Sequence, residues 1–252
     1  MSLLEVDGLC KRYPSFLLSD VSFRVEPGRI MGLIGKNGAG KSTTLKALLH
    51  MVRPDSGSIR MFGLDFSDYE LSCKQEVGVV LGGIDFYRRK KLSQITRAVR
   101  LFYPQWDENA YREYLRLFDL DERKCPDQLS AGMRVKYMLA LALSHHARLL
   151  ILDEPTSGMD PVSRDDLLNL FQALVKDGQR AILFSTHITS DLDKCADDVT
   201  YLKGGEVLCS AEKTRFRAAF SHLREPGDPD LLPLEEIMVR TERRDDHDCP
   251  AV

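Results

Sequence analysis

Apolar residues in the first part of the chain form short runs of strand length that are separated by turns. Val21–Val25 alternates apolar and polar residues and Ile30–Ile34 is nearly all apolar, which is typical of a half-buried and a fully buried strand. A glycine-rich loop follows Ile30–Ile34, and the spacing after it predicts a helix from Lys41 to about Met51. The same reasoning predicts strands over three further segments: Leu3–Leu9, Ser58–Phe62 and Val77–Leu81.

The middle of the chain, about residues 83–145, has helical spacing and no strand pattern. Helices are predicted over Leu92–Gln105 and Glu108–Asp119, and from Leu129 to about His145. After this stretch the pattern alternates, with these elements in chain order: a strand at Leu149–Leu152, a helix at Pro161–Lys176, a strand at Arg180–Ser185, a helix at Thr189–Ala196 and a hairpin at Val199–Leu208. The alternation favours an α/β fold with a mostly parallel core sheet, an antiparallel β region in the N-terminal part and an inserted α-helical subdomain.

Composition narrows the classes of protein without selecting one. The 35 basic and 38 acidic side chains give a net charge of −3, which lacks the basic excess typical of nucleic-acid-binding domains. No apolar stretch approaches the roughly 20 residues of a membrane span, and the N-terminus has no signal-peptide pattern, so we expect a cytosolic chain. The six scattered cysteines form no C-x-x-C pair and are expected to be reduced thiols.

The chain is expected to divide into two regions. Its 252 residues allow one domain with an insertion, which we place at residues 1–223. Residues 224–252 are rich in proline and charged side chains. We therefore expect this C-terminal tail to be loosely ordered.

The glycine-rich loop has the spacing G-x-x-x-x-G-K-[ST] of a phosphate-binding loop, between a predicted strand and a predicted helix. Its glycines let backbone N–H groups turn toward phosphate oxygens, and the helix N-terminus adds partial positive charge. Lys41 would bridge the β- and γ-phosphates of a nucleotide, and Ser42 would place its hydroxyl on Mg²⁺. The loop predicts a P-loop NTPase that binds nucleotide through these residues: Gly35, Lys36, Asn37, Gly38, Ala39, Gly40, Lys41, Ser42 and Thr43.

Two acids follow the apolar run Leu149–Leu152. A buried parallel strand places residues at its carboxyl end on the sheet edge where α/β folds bind ligands. Asp153 is therefore a candidate to hold Mg²⁺, directly or through water. Glu154 is the candidate catalytic base that accepts a proton from the water attacking the γ-phosphate.

Further motifs, in the same order along the chain, resemble those of the ATP-binding cassette (ABC) ATPases. Leu129-Ser130-Ala131-Gly132-Met133 resembles the family's L-S-G-G-Q signature and precedes Asp153 by 153 − 130 = 23 residues, a spacing typical of the family. Ser157 and Asp160 resemble the loop that lies across the subunit interface in this family. His187, after a predicted strand, resembles the catalytic switch histidine that contacts the γ-phosphate, and Tyr13 resembles the aromatic residue that stacks on adenine.

The resemblance implies an ATPase with ATP and Mg²⁺ as cofactors, working as a dimer with a second copy of itself or a paralogous cassette. In such a dimer Ser130, Ala131 and Gly132 close over ATP held by the other subunit. It also implies separate transmembrane permease subunits, no nucleic-acid partner, and a cytoplasmic location, peripheral on the inner face of the cell membrane. Tyr103-Pro-Gln-Trp106-Asp and Pro233-Leu-Glu-Glu-Ile237 resemble bacterial cassettes of multidrug or antimicrobial-peptide exporters, so export is the expected direction.

One position departs from the family pattern. Members usually carry a glutamine that contacts Mg²⁺ at the end of the strand before the helical insertion, where this chain has Gly82. Either Asp85 supplies the oxygen ligand or water completes the shell. Two adjacent glycines provide no fixed side chain, which favours water.

Two other classes of function fit the sequence less well than transport does. A cassette ATPase acting on nucleic acid or ribosomes usually has two cassettes, long coiled coils or a basic face, and this chain has a single cassette and a net charge of −3. A GTPase or small-molecule kinase with the same loop fits less well, because no asparagine is followed by lysine to form an N-K-x-D guanine reader. Those functions would also leave Leu129–Met133 unexplained.

Overall fold

The computed structural model describes residues 1–81 and 87–247, and the side chains of all of these except 244–247. Its strands are β1 Leu4–Tyr13, β2 Phe16–Val25, β3 Ile30–Ile34, β4 Ser56–Met61, β5 Leu64–Asp65, β6 Val77–Leu81, β7 Leu149–Asp153, β8 Ala181–Thr186, β9 Asp198–Lys203 and β10 Glu206–Glu212. Its α-helices are α1 Lys41–Leu48, α2 Glu70–Gln75, α3 Leu92–Val99, α4 Glu108–Leu117, α5 Ala131–Ser144, α6 Pro161–Val175, α7 Thr189–Cys195, α8 Lys213–Ala219 and α9 Leu234–His247.

The predicted α/β fold is confirmed. A six-stranded sheet has the order β10-β9-β3-β8-β7-β6, in which only the β10–β9 pair is antiparallel. A second, antiparallel sheet has the order β2-β1-β4-β5 and corresponds to the predicted N-terminal β region. Every apolar residue of β7 from Leu149 to Leu152 is fully buried, which explains its continuous apolar run, since central parallel strands are covered on both faces.

Strand register brings the carboxyl ends of neighbouring strands together. Asp153 at the end of β7 is aligned with Ser185 of β8. Ile34 at the end of β3 is aligned with Thr186 of β8 on one side and Tyr201 of β9 on the other. Because these strands are parallel, the segments that follow them emerge at one edge of the sheet.

The described residues between β6 and β7 form α3, α4 and α5 with short 3₁₀ turns and no strand. A buried hydroxyl cluster holds the three helices together: Thr96 Oγ1 lies 2.7 Å from Tyr111 Oη and 2.9 Å from Tyr137 Oη. At the base of this helical region the Tyr103 ring stacks on His145, with ring centroids 3.7 Å apart. The imidazole Nδ1 of His145 lies 3.1 Å from the carbonyl oxygen of Gln75, which precedes β6.

The C-terminal tail differs from its predicted loose order. Residues 234–247 form α9, and Leu232, Leu234 and Ile237 are buried in the same core as the parallel sheet. Arg240 fixes the helix to the preceding loop, since it pairs with Asp228 and donates to the carbonyl of Leu223. The prediction of a loosely ordered tail is therefore wrong for the described tail residues, because a narrow apolar stripe in a charge-rich segment is enough to anchor a helix.

Candidate active site

The loop between β3 and α1 has the conformation that its glycines predict. Gly35, Gly38 and Gly40 have φ angles of 153°, 85° and 110°, a region that side chains rarely allow. A Cβ atom on Gly35 would also lie 2.3 Å from the carbonyl oxygen of Leu202. The loop therefore needs glycine both for its turn and for its close approach to β9.

Lys41 lies at the centre of the loop with 6% of its surface exposed. Its Nζ donates to the carbonyl oxygens of Gly35 at 2.7 Å and Lys36 at 3.3 Å, and it lies 3.7 Å from Oε1 of Glu154. Burial lowers the pKa of the Lys41 ammonium, and the negative charges of Glu154 and Asp153 act in the opposite direction. The structure thus holds a buried cation at the position where a phosphate-binding loop needs one.

Asp153, at the end of β7, accepts hydrogen bonds from two hydroxyl groups. Its Oδ1 accepts from Ser42 Oγ at 3.2 Å and from Ser185 Oγ at 2.5 Å. Ser42 is the first-turn residue of α1, so the acid brings the loop and two parallel strands together. A carboxylate beside a hydroxyl suits a hard cation such as Mg²⁺, which prefers oxygen ligands.

Glu154 follows Asp153 with an unusual backbone for a non-glycine residue, at φ 49°. Such a left-handed conformation costs about 1–3 kcal/mol and is typical of functional sites. The Glu154 N–H is held by both the hydroxyl of Ser185 at 3.0 Å and its carbonyl at 3.2 Å. Its carboxylate lies between Lys41 and His187, whose Nδ1 is 2.7 Å from Oε2.

A cavity of about 730 Å³ opens over the loop. Tyr13, which is 38% exposed, and Glu154 both line this cavity. The other lining residues are Pro14, Ser15, Phe16, Lys36, Asn37, Gly38, Gly40, Lys41, Ser42 and Thr43. An aromatic ring and the glycine-rich loop in one cavity suit the chemistry of a nucleotide, which has an aromatic base and charged phosphates.

The signature segment, Leu129–Met133, leads into helix α5 and lies outside this cavity. Ser130 caps α5, since its hydroxyl accepts the Met133 N–H at 3.2 Å. Ala131 lines a separate cavity of about 320 Å³ that also borders Asp153 and Glu154. Gly132 is buried, and a Cβ there would make ordinary contact, at 3.6 Å from Ser163. None of these three signature residues is among the described residues lining the cavity over the loop.

Ser157 and Asp160 lie in the segment between β7 and α6. The Ser157 N–H donates to the Glu154 carbonyl at 3.1 Å, and Asp160 caps α6 by accepting from Val162 and Ser163 at 3.0 Å. Their side chains make no contact with the loop cavity in the described part of the chain. Gly82 and Asp85, the candidates for the glutamine position, lie outside the described residues.

The sequence patterns did not identify Ser185 and Asp191, two buried side chains that hold the residues of this site in position. Ser185 joins Asp153 to the Glu154 backbone, as described above. Asp191, which is 1% exposed, accepts from Thr156 Oγ1 at 2.7 Å and forms an ion pair with Arg164, so it connects α7 to the segment after Glu154. Only the strand register and the fold bring these partners together, and no local spacing predicts them.

Comparison with known proteins agrees with this geometry. Residues 18–157, more than half of the chain, match the family described as ABC transporter. The chain belongs to the ABC transporter ATP-binding family. The bacitracin transport ATP-binding protein BcrA of Bacillus licheniformis is 31% identical over 210 residues, which cover 82% of this chain and 69% of BcrA.

Solved ABC structures share the fold. A structure described as the ATP-binding subunit of an ABC transporter superposes with a TM-score of 0.82 at 29% identity, and the match covers 96% of this chain and 100% of that one. A dimeric ATP-binding cassette bound to ADP and Pi superposes with a TM-score of 0.72 at 18% identity, over 83% of this chain and 98% of that one.

The biochemical activity of the chain follows from its membership of the ABC family. It is an ATP-binding subunit of the ABC transporter type, and its enzymatic activity is ATP hydrolysis. Within residues 1–81 and 87–247, no helix is both long and apolar enough to cross a bilayer.

Proposed function

We propose that this ABC ATPase binds ATP in the cavity over Gly35–Thr43 and powers export through separate permease subunits. The observation that carries the proposal is the convergence of Lys41, Ser42, Asp153 and Glu154 at one sheet edge. On this proposal Tyr13 stacks on the adenine, and the loop N–H groups and Lys41 bind the phosphates. Lys41 would then leave the loop carbonyls for phosphate oxygens.

Ser42 and Asp153 are the residues that would hold Mg²⁺. Their oxygen atoms suit this ion, which would neutralise phosphate charge when bound. On this proposal Glu154 is the base that takes a proton from the attacking water. His187 holds the Glu154 carboxylate and is also the proposed contact to the γ-phosphate.

We propose further that the active unit is a dimer of two such chains, or of this chain with a paralogous cassette. Ser130, Ala131 and Gly132 then close over the ATP of the partner, and Ser157 and Asp160 lie at the interface. Two features support this: the capped, exposed N-terminus of α5 suits a phosphate, and the segment lies outside its own loop cavity. A related cassette is described as dimeric with ADP and Pi.

The proposed location is the cytoplasmic face of the membrane, where the permease subunits would hold the dimer. The proposed direction is export of a peptide antibiotic or similar compound, supported by the exporter-like segments at Tyr103 and Pro233 and by the likeness to a bacitracin transport protein. Growth of cells carrying the wild-type or the Glu154→Gln chain, in the presence of peptide antibiotics including bacitracin, tests this. Export predicts greater sensitivity with the variant; equal or lower sensitivity would contradict it.

Equilibrium ATP binding tests the nucleotide site itself. Lys41→Ala is expected to weaken binding at least about 10-fold, because charge-assisted hydrogen bonds to phosphate contribute about 1.5–3 kcal/mol. Lys46→Ala is the matched control, since Lys46 is exposed on the same helix and is not among the described residues that line the cavity. Equal affinity of Lys41→Ala and wild type would contradict the proposed site.

A further inference from the structure

The C-terminal helix α9 makes a direct contact with the phosphate-binding loop. Nζ of Lys36, the second residue of the loop, lies 3.1 Å from Oε2 of Glu242 on α9. The Lys36 side chain is 54% exposed, whereas the Glu242 side chain is only 12% exposed. The carboxylate is therefore the fixed partner, and the lysine reaches to it.

Glu242 is fixed from the core side as well. Its Oε1 accepts the hydroxyl of Tyr201 at 2.7 Å, and Tyr201 is fully buried in β9. Tyr201 is aligned with Ile34, the last residue of β3 before the loop begins. Glu242 thus attaches α9 to β9, the strand that pairs with β3, and the phosphate-binding loop follows β3 directly.

The remainder of α9 is anchored independently of this pair. Ile237 is fully buried, Arg240 pairs with Asp228 and Glu236, and the carbonyl of Thr241 accepts from Lys203 Nζ at 2.9 Å. Because the helix is held by these contacts, Glu242 can act on Lys36 without depending on Lys36 for its own position.

Lys36 also has a central place in the backbone of the loop. Its carbonyl accepts the Ala39 N–H at 3.1 Å and the Lys41 ammonium at 3.3 Å. Its side chain lines the cavity over the loop. A restraint on the Lys36 side chain therefore also restrains the carbonyl that holds Lys41 before nucleotide binds.

We infer that Glu242 is a positioning residue for ATP binding: by pairing with Lys36 it preorganises the first turn of the phosphate loop, so that α9 acts as part of the nucleotide site. Preorganisation lowers the cost of ordering the loop when the phosphates bind. The effect should appear in ATP affinity and leave the rate of hydrolysis at saturating ATP little changed, because Glu242 does not touch Glu154 or His187. The inference rests on the proposed nucleotide site at Gly35–Thr43.

The test is calorimetric titration of the full chain with ATP without Mg²⁺, together with KM and kcat for hydrolysis with Mg²⁺. Glu242→Gln keeps an oxygen for Tyr201 but loses the charge, and it should weaken ATP binding about two- to fivefold, the upper part of the range of a partly exposed ion pair. Its kcat should stay within about twofold of wild type, so that KM carries the change.

Two further variants distinguish a positioning role of Glu242 from a general disturbance of α9. In a Lys36→Met chain, Glu242→Gln should have no further effect on ATP affinity, because its partner is already absent. Glu236→Gln is the matched control on α9, since it removes one of the two partners of Arg240 without approaching the loop. It should leave ATP affinity at the wild-type value.

Three results would overturn the inference: unchanged or tighter ATP binding by Glu242→Gln, an equal loss in the Lys36→Met background, or an equal loss in Glu236→Gln. Lys41→Ala is titrated alongside. If Lys41→Ala loses ATP binding while Glu242→Gln does not, only this inference fails. If Lys41→Ala binds like wild type, the nucleotide site itself is wrong.

Discussion

Nδ1 of His187 lies 2.7 Å from Oε2 of Glu154, although the two residues follow different strands. They meet because β7 and β8 are paired in register, with Asp153 opposite Ser185. The other carboxylate oxygen, Oε1, lies 3.7 Å from Nζ of Lys41. Each carboxylate oxygen of the acid that we propose as the base thus lies next to a basic side chain, and its backbone N–H is held by Ser185.

Loss of His187 should slow hydrolysis without preventing ATP binding. His187→Ala leaves one carboxylate oxygen of Glu154 unrestrained, and a misplaced catalytic group typically costs about 10- to 100-fold in rate. ATP affinity should fall much less than the rate, because only the proposed contact of His187 to the γ-phosphate is lost, while Lys41 and the loop N–H groups still bind the phosphates. Steady-state hydrolysis and calorimetric binding measure the two effects separately. His146→Ala is the control, and wild-type turnover of His187→Ala would exclude this role.

We expect Ser185 to hold both Asp153 and Glu154 in position. Ser185→Ala removes the 2.5 Å hydrogen bond to Asp153 and one of the two acceptors of the Glu154 N–H. Because the site is buried, the loss should cost about 1–3 kcal/mol in unfolding free energy. It should also raise the Mg²⁺ concentration needed for half-maximal hydrolysis. Ser144→Ala is the matched control, a buried serine bonded to the Ala140 carbonyl away from the site. The same Mg²⁺ dependence in Ser185→Ala and wild type would contradict the role.

His145 should make stability depend on pH. Burial, with a smaller contribution from His146, lowers the pKa of His145 from 6.5 to about 4. The folded chain therefore keeps the imidazole neutral while the unfolded chain takes up a proton below pH 6.5. Unfolding free energy should fall as the pH drops from 6.5 to 4, by up to about 3 kcal/mol from this group, and the contribution should then level off.

Denaturant unfolding across that pH range, compared between wild type and His145→Gln, isolates the effect of His145. The variant loses stability at neutral pH because the stacking on Tyr103 is gone. Its stability should nevertheless fall less steeply between pH 6.5 and 4. Parallel curves for the two proteins would show that His145 does not titrate as its burial implies.

The packing of α9 predicts that the tail contributes to global stability. Ile237 is fully buried in the main core, so Ile237→Ala should lower the unfolding free energy by about 2–4 kcal/mol. Leu208→Ala, at a position that is 46% exposed, should cost less than about 1 kcal/mol. Thermal or denaturant unfolding of the full chain measures both. A loosely ordered tail would instead make the two variants equivalent.

Those parts of the candidate site that depend on local residue spacing can be predicted from the sequence alone. Gly35–Thr43 is predictable because the loop needs glycines at fixed offsets and a strand and a helix on either side. Asp153 and Glu154 follow from a continuous apolar strand that ends in acids. The ordinary contacts of Ser130 and Asp160 as helix caps are equally local.

Long-range pairings could not be predicted in this way. Ser185 reaches Asp153 over 32 residues and Glu242 reaches Lys36 through the fold, so neither is visible in a short window. The order of the tail is hidden in the sequence for a different reason. Leu234, Ile237 and Met238 have the i, i+3, i+4 spacing of a helix face, but this short stripe lies among proline and charged residues, a composition typical of a loosely ordered segment.

The most direct test of the proposed mechanism is the Glu154→Gln variant in the presence of Mg²⁺ and ATP. Removal of a general base should lower turnover about 10²- to 10⁴-fold while the amide still occupies the same space. Bound ATP would then persist, so size-exclusion chromatography with light scattering should show a stable dimer with ATP and a monomer without nucleotide. Hydrolysis by Glu154→Gln at the wild-type rate, or a variant that stays monomeric with bound ATP, would contradict the account.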